Sequence, residues 1–167
     1  MKLESLKDLY LEQLQDLYSA ESQLIDALPK MSEGATAPDL KKGFTDHLKQ
    51  TQEHVKRLER IFKDLGEKAG GETCEGMKGL IKEGSSMLKM KGEDAARDAG
   101  LIAAAQRVEH YEIAAYGTVR TYAELLGHDQ HVTLLEKTLN EEEETDERLT
   151  QLAESHINEE ALVGSGQ

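Results

Sequence analysis

The chain is short of the residues that build sheets, disulfides and membrane spans. Among 167 residues there are two prolines, one cysteine and no tryptophan, and aromatic side chains make up 4%. Few aromatics beside 32% charged residues argue for an all-helical protein rather than a sheet. Cys74 stands alone, so there is no disulfide framework and nothing requires an oxidising compartment. No run approaches the roughly 18 apolar residues of a membrane span, and the opening MKLESLKDLYLEQ lacks an apolar core of signal-peptide length. The cytoplasm is the expected location. Cations are scarce as well: 20 Lys and Arg face 33 Asp and Glu, a net charge of −13. That balance disfavours nucleic acid and anionic membranes, both of which need basic patches.

What is present is helical periodicity. Four long segments carry apolar residues at spacings of three and four, the mark of a single buried stripe. The first is expected over about 3–29, with Leu6, Tyr10, Leu14, Leu17, Tyr18, Ile25 and Leu28 on its stripe. SEGATAP breaks the pattern, and Pro38 suits the first turn of a second helix that Gly66 stops. After the loop-like KAGGETCEG, a short helix over about 74–88 makes a crossover. The third long helix is expected over about 93–126, and the fourth from Asp129, as its N-cap, to about 157. Two helical hairpins joined by one long crossover make a ferritin-like four-helix bundle, a single domain over 1–158. Residues 159–167, ending in ALVGSGQ, are expected to be a flexible tail.

The informative residues are the polar ones inside apolar stripes. At about 100° per residue, Glu21 falls in the middle of the first stripe, between Leu17 and Leu24. Glu112 sits between Val108 and Ala115 on the third helix, with Glu109 nearer the edge. On the fourth helix Glu142 is central and Asp146 lies one turn on, whereas Glu141, Glu143 and Glu144 point away. The second helix contributes nitrogen: His47 and His54 flank its seam with Gln50 between them, and Thr51 is close enough to support them.

Energetics give this pattern weight. A buried carboxylate without a partner costs several kcal/mol, and three in one core would defeat a domain stable by about 5–15 kcal/mol. No Lys or Arg falls on these stripes at that level. Protons would neutralise the acids by raising their pKa values, but divalent metal does so and also organises the histidines. Carboxylate oxygens with one or two imidazoles suit iron or manganese rather than a closed zinc site. Taken singly, each residue has a plainer reading: a stripe Glu bonded to a buried Tyr or water, or a histidine at an interface or cap. It is the conjunction of an inward carboxylate on the first, third and fourth helices with histidine on the second that points to metal. Tyr18, Tyr111 and Tyr116 read as packing residues, Tyr18 and Tyr116 also as possible supports of metal ligands, and Cys74 as a packed residue.

LYSAESQL, CEGMKGLIKEG, LIAAAQRVEHYEIAAYG and EEEETDERLTQLA closely resemble the YciE/YciF family of ferritin-like bacterial stress proteins, a likeness that runs over about residues 4–158. The resemblance implies a homodimeric bundle of the rubrerythrin and ferritin kind with a dinuclear site for two iron ions, or manganese. Glu21, Glu112 (or Glu109) and Glu142 match the carboxylates of the first, third and fourth helices of that superfamily. Two departures stand out. The second and fourth helices of the superfamily carry Glu-x-x-His, whereas here Thr51 stands three residues before His54, with neutral Gln50 beside it, and Glu142 is followed by Thr145 and Asp146.

The metal set expected is therefore Glu21, His47, Gln50, His54, Glu109, Glu112, Glu142 and Asp146, supported by Tyr18, Thr51, Tyr116 and Thr145. The expected function is a cytoplasmic stress-response protein that oxidises iron or disposes of peroxide or oxygen. The alternative is a non-enzymatic binding or scaffold protein with a degenerate site. No catalytic residue is assigned.

Overall fold

The computed structural model describes residues 3–163 and is helical throughout its regular structure. Four long helices, α1 (Leu6–Gly34), α2 (Pro38–Leu65), α4 (Asp94–Leu125) and α5 (Asp129–Leu152), form the bundle. The crossover helix α3 (Glu75–Leu88) lies against α1 and α4. Contacts along the helices fix their directions. Tyr18 meets Glu59 while Ser32 meets Thr45, so α1 and α2 are antiparallel. Glu21 meets Tyr116 and Thr36 meets Asp98, which sets α1 against α4. Asp46 meets Arg148 and Asp64 meets His131, which sets α2 against α5. This is the ferritin-like arrangement of two hairpins and one long crossover.

Local chemistry explains the boundaries. Ser5, expected inside the first helix, instead caps it: its hydroxyl oxygen accepts from the Asp8 N–H at 3.2 Å and its hydroxyl donates to the Asp8 carboxylate at 2.8 Å. The helix continues past the exposed Pro29 to Gly34. Pro38 opens α2, and the buried Asp98 carboxylate receives the backbone N–H groups of Thr36 and Ala37 before it. Gly66 closes α2 at a φ of 71°, where a side chain would be strained. The Cys74 sulfur caps α3, accepting from the Met77 N–H at 3.3 Å, and the residue is buried.

Two boundaries depart from expectation. His128 rather than Asp129 precedes the first turn of α5, and Asp129 is its first residue, a favourable place for a negative charge. Beyond α5 the chain makes a π-helical turn, Ala153–Ile157, and continues as α6 (Asn158–Val163). The first residues of the expected tail are therefore helical, and the rest of it, 164–167, lies outside the described residues.

Two apolar clusters fill the bundle. Tyr10, Leu14, Leu17, Leu58, Ile61, Phe62, Tyr116, Val119 and Leu135 pack one half. Leu24, Leu28, Leu40, Phe44, Leu101, Ile102 and Leu149 belong to the other, which α3 helps to cover. A layer of buried acids and histidines lies between them.

Candidate metal centre

Each long helix turns polar side chains into this layer because the residue sits where the apolar stripe would otherwise continue. Glu21 comes from α1, His47 and His54 from α2, Glu109 and Glu112 from α4, and Glu142 from α5. All six are at most 3% exposed. They form two groups in which donor atoms lie within 4.8 Å of one another: His47, Glu109, Glu112 and Glu142, and Glu21, His54 and Glu142. Glu142 belongs to both.

The distances are those of donors without a common partner. His54 Nδ1 lies 3.2 Å from Glu21 Oε1 and 3.0 Å from Glu142 Oε1. His47 Nε2 lies 3.1 Å from Glu109 Oε1 and 3.8 Å from Glu142 Oε2. Among the described residues, every buried side-chain oxygen or nitrogen that lacks a hydrogen bond belongs to these six side chains, including both oxygens of Glu112 and of Glu142. Folded proteins satisfy nearly all such atoms, so a cluster of orphans at one level is a candidate place for an external partner.

Two neighbours orient the donors. Tyr116 donates its hydroxyl to Glu21 Oε1, leaving Oε2 open. His54 Nε2 lies 2.9 Å from Glu141 Oε2, and Arg57 grips the same carboxylate through both terminal nitrogens at 2.6 and 3.0 Å. A histidine that gives one ring N–H to a carboxylate presents a bare lone pair at the other nitrogen, here Nδ1, facing the cluster.

This corrects the sequence reading twice. Glu141 does not simply point into solvent; its side chain is 20% exposed and it holds His54. A cation is present at this level too, but Arg57 pairs with Glu141 and Thr138 and leaves the inner carboxylates unneutralised. The signal was available: Arg57 follows His54 by three residues, so both side chains lie on one face of α2.

Without metal the electrostatics are severe. Burial pushes the Glu109 and Glu142 carboxyls up to about 8, and neighbouring carboxylates add to it. Burial and the same neighbours hold Glu112 well above the ordinary carboxylate range. Burial alone would lower His54, but the charge of Glu21, the hydrogen bond with Glu141 and the close Glu142 carboxylate raise it to about 12. Glu141 moves the other way: burial opposes ionisation, yet His54 and Arg57 hold it down at about 2.

Several expected residues lie outside the cluster. Asp146 faces His110 and Gln106 at 3.1 and 3.2 Å on the α4–α5 surface, because four residues advance a helix by slightly more than a turn. Gln50 turns toward Thr145, whose hydroxyl lies 3.4 Å from its amide oxygen. Thr145 is also 3.5 Å from His47 Nδ1. Tyr18 bonds Glu59 at 3.3 Å and packs edge-on against Phe62. Thr51 is fully buried and donates to the His47 carbonyl at 2.9 Å. Glu109, read as lying near the stripe's edge, is 2% exposed and points inward with Glu112.

The donor set fits a pair of hard-to-borderline divalent ions: four carboxylates and two imidazoles, with charges of −4 and +4 in balance. A closed tetrahedral zinc site would be richer in thiolate or imidazole.

Comparison with known proteins places the chain among relatives. The family described as "Domain of unknown function (DUF892)" matches residues 5–162. Protein YciF of Escherichia coli (strain K12) is 40% identical over 162 residues, covering 96% of this chain and 98% of its own. The crystal structure of the E. coli stress protein YciF superposes with a TM-score of 0.90 at 39% identity, covering 93% of this chain and 99% of that one. YcfI from Rhodopseudomonas palustris superposes at 0.86 with 45% identity, covering 89% and 95%.

Proposed function

We propose, for a chain that belongs to the DUF892 family with YciF among its relatives, a stress-response protein whose bundle core binds two iron ions, or manganese. In that state it oxidises iron while consuming peroxide or oxygen. One observation carries the reading: the orphaned buried donors form two groups that share Glu142.

The chain's own residues divide the work. Glu142 offers one oxygen to each group, and Glu112, with both oxygens free, stands beside it. His54 and His47 would each offer a ring nitrogen, one to either group. Glu141 fixes the His54 ring so that Nδ1 faces inward, and Arg57 keeps Glu141 charged. Tyr116 holds Glu21 in place and is the nearest hydroxyl able to give or receive a proton at that carboxylate. When bound, two ferrous ions would supply the two electrons that, with two protons from solvent, reduce one hydrogen peroxide to two waters.

Two further expectations go with this reading. The family resemblance implies a homodimer, which light scattering on a sizing column tests. A cytoplasmic location accords with the resemblance, and no helix among the described residues is long and apolar enough to cross a membrane.

The test is to strip the purified full chain of metal, offer Fe(II) or Mn(II), and count what remains after desalting. About two ions per chain are expected, together with peroxide consumption above a protein-free control. Fewer than one retained ion contradicts the metal reading. Full occupancy with no turnover would favour the second reading, a binding or scaffold protein. One observation supports that second reading: His54 Nδ1 lies 3.2 Å from Glu21 Oε1 and 3.0 Å from Glu142 Oε1, so a protonated ring would offset core charge without metal.

A further inference from the structure

The half of the bundle covered by α3 is incompletely filled. A cavity of about 250 Å³ is lined by α1, α2, α3 and α4, with Thr145 and Leu149 of α5. Its lining passes from the exposed Asp26 and Lys30 at the outer rim to the buried His47 and Glu109 at the inner end. Between these ends the walls are mainly apolar, Gln23, Ser85 and Thr145 being the polar exceptions, with small residues such as Ala27, Gly84, Ala104 and Ala105 where larger ones would close the gap. Nothing forces glycine at position 84: a Cβ added there would meet Ala104 and Met31 only at 3.8 Å, an ordinary contact. At the inner end, His47 Nε2 and Glu109 Oε2 have no hydrogen-bond partner although both residues are nearly fully buried.

An apolar tube ending in a few unsatisfied polar atoms is the usual design of a small-molecule site. We propose that this cavity binds a straight alkyl chain with an uncharged oxygen head, tail toward Met31 and head against His47 and Glu109. Size sets the chain length. An apolar cavity of about 150 Å³ accommodates benzene, so 250 Å³ has room for about ten non-hydrogen atoms. Charge sets the head. The four carboxylates of the layer match two divalent ions, and a further anion would leave the inner end negative, with or without metal. Alcohols, aldehydes and alkyl hydroperoxides share the required chemistry. Treating the inner end as the reacting end rests on the metal reading above, but occupancy of the cavity does not.

The experiment uses the metal-free full chain labelled with ¹³C at the methionine methyls and titrated with octan-1-ol. The Met31 methyl signal should shift saturably, while that of the exposed Met90 stays in place. Nuclear Overhauser contacts should join the alcohol's C1 protons to the His47 ring and its terminal methyl to Met31. Ala105→Leu and Ala27→Leu, which add bulk to the lining from α4 and α1, should each weaken binding at least tenfold while keeping a cooperative thermal transition. Sodium octanoate should bind at least tenfold more weakly than the alcohol. An absent or non-saturating Met31 shift, contacts in the reverse orientation, octanoate binding as tight as octanol, or unchanged affinity in both variants would each overturn the proposal. Metal counting on the same preparation is a separate readout, so loss of the metal reading and loss of the cavity proposal are told apart.

Discussion

The two halves of the bundle are made from the same four helices and are packed differently. The half around Tyr10, Phe62 and Tyr116 is closed by large side chains, several with no exposed surface. The half under α3 contains Ala35, Ala105 and Ala153 among its buried residues and keeps a cavity of about 250 Å³. The polar layer lies between a sealed wall and an accessible one. Tyr116, whose hydroxyl meets Glu21, belongs to the sealed side, whereas His47 and Glu109 open onto the other. A buried charge cluster needs rigid walls to hold its donors and one route for what it binds, and the two halves divide these requirements.

The largest expected effect comes from removing the residue that serves both groups of the layer. Glu142→Gln should take retained metal from about two ions per chain to none after desalting. Above about pH 8 the metal-free variant should melt no lower than metal-free wild type, since there the buried Glu142 carboxyl ionises and the amide does not. Next is the contrast in packing. Phe62→Ala in the closed half should cost about 3–5 kcal/mol in chemical denaturation. Leu28→Ala, which already borders the cavity, should cost about 2 kcal/mol, because its side chain has fewer packed neighbours to lose. Equal costs would remove the distinction between the halves.

A third variant tests the support of His54 from outside the layer. Glu141→Gln should weaken metal binding about 10–100-fold by loosening the His54 ring, with little effect at the His47 group. Isothermal titration with Mn(II) would separate a two-site loss from a one-site loss.

These residues also show what the sequence revealed and what it hid. The bundle, the crossover and the inward direction of Glu21, Glu112 and Glu142 follow from periodicity, because a polar residue on an apolar stripe has one direction to face. Asp146 and Gln50 were harder to place. Each sits at the margin of its stripe, where packing against the neighbouring helix decides between core and surface. Glu141 was obscured by the acidic run around it, and its role needed the register of α5 against α2. The cavity leaves no trace in periodicity at all, since alanine and glycine fit an apolar stripe whether or not the facing side chains meet.

The smallest effect is a change of slope with pH. Glu109 and Glu142 have folded pKa values raised to about 8, so the folded state keeps protons that the unfolded chain releases above about 4.3. Their contribution is fully present below that point and lost as pH rises through about 8. Raised His54 acts in the same direction above about 6.5. The depressed Glu141 acts oppositely at the acid end, where its stabilisation is lost as pH falls through about 2. Metal-free protein should therefore melt lower at pH 8 than at pH 5.5. Metal-loaded protein should reverse the trend, because metal competes with protons for the same oxygens. Parallel pH profiles for the two forms would contradict this.

Anomalous diffraction from metal-soaked crystals of the full chain, collected at the iron and manganese edges, tests the central claim most directly. Two peaks should appear, one among Glu21, His54 and Glu142 and the other among His47, Glu109, Glu112 and Glu142. A layer with no anomalous peak, its histidines bonded directly to the carboxylates, would contradict it.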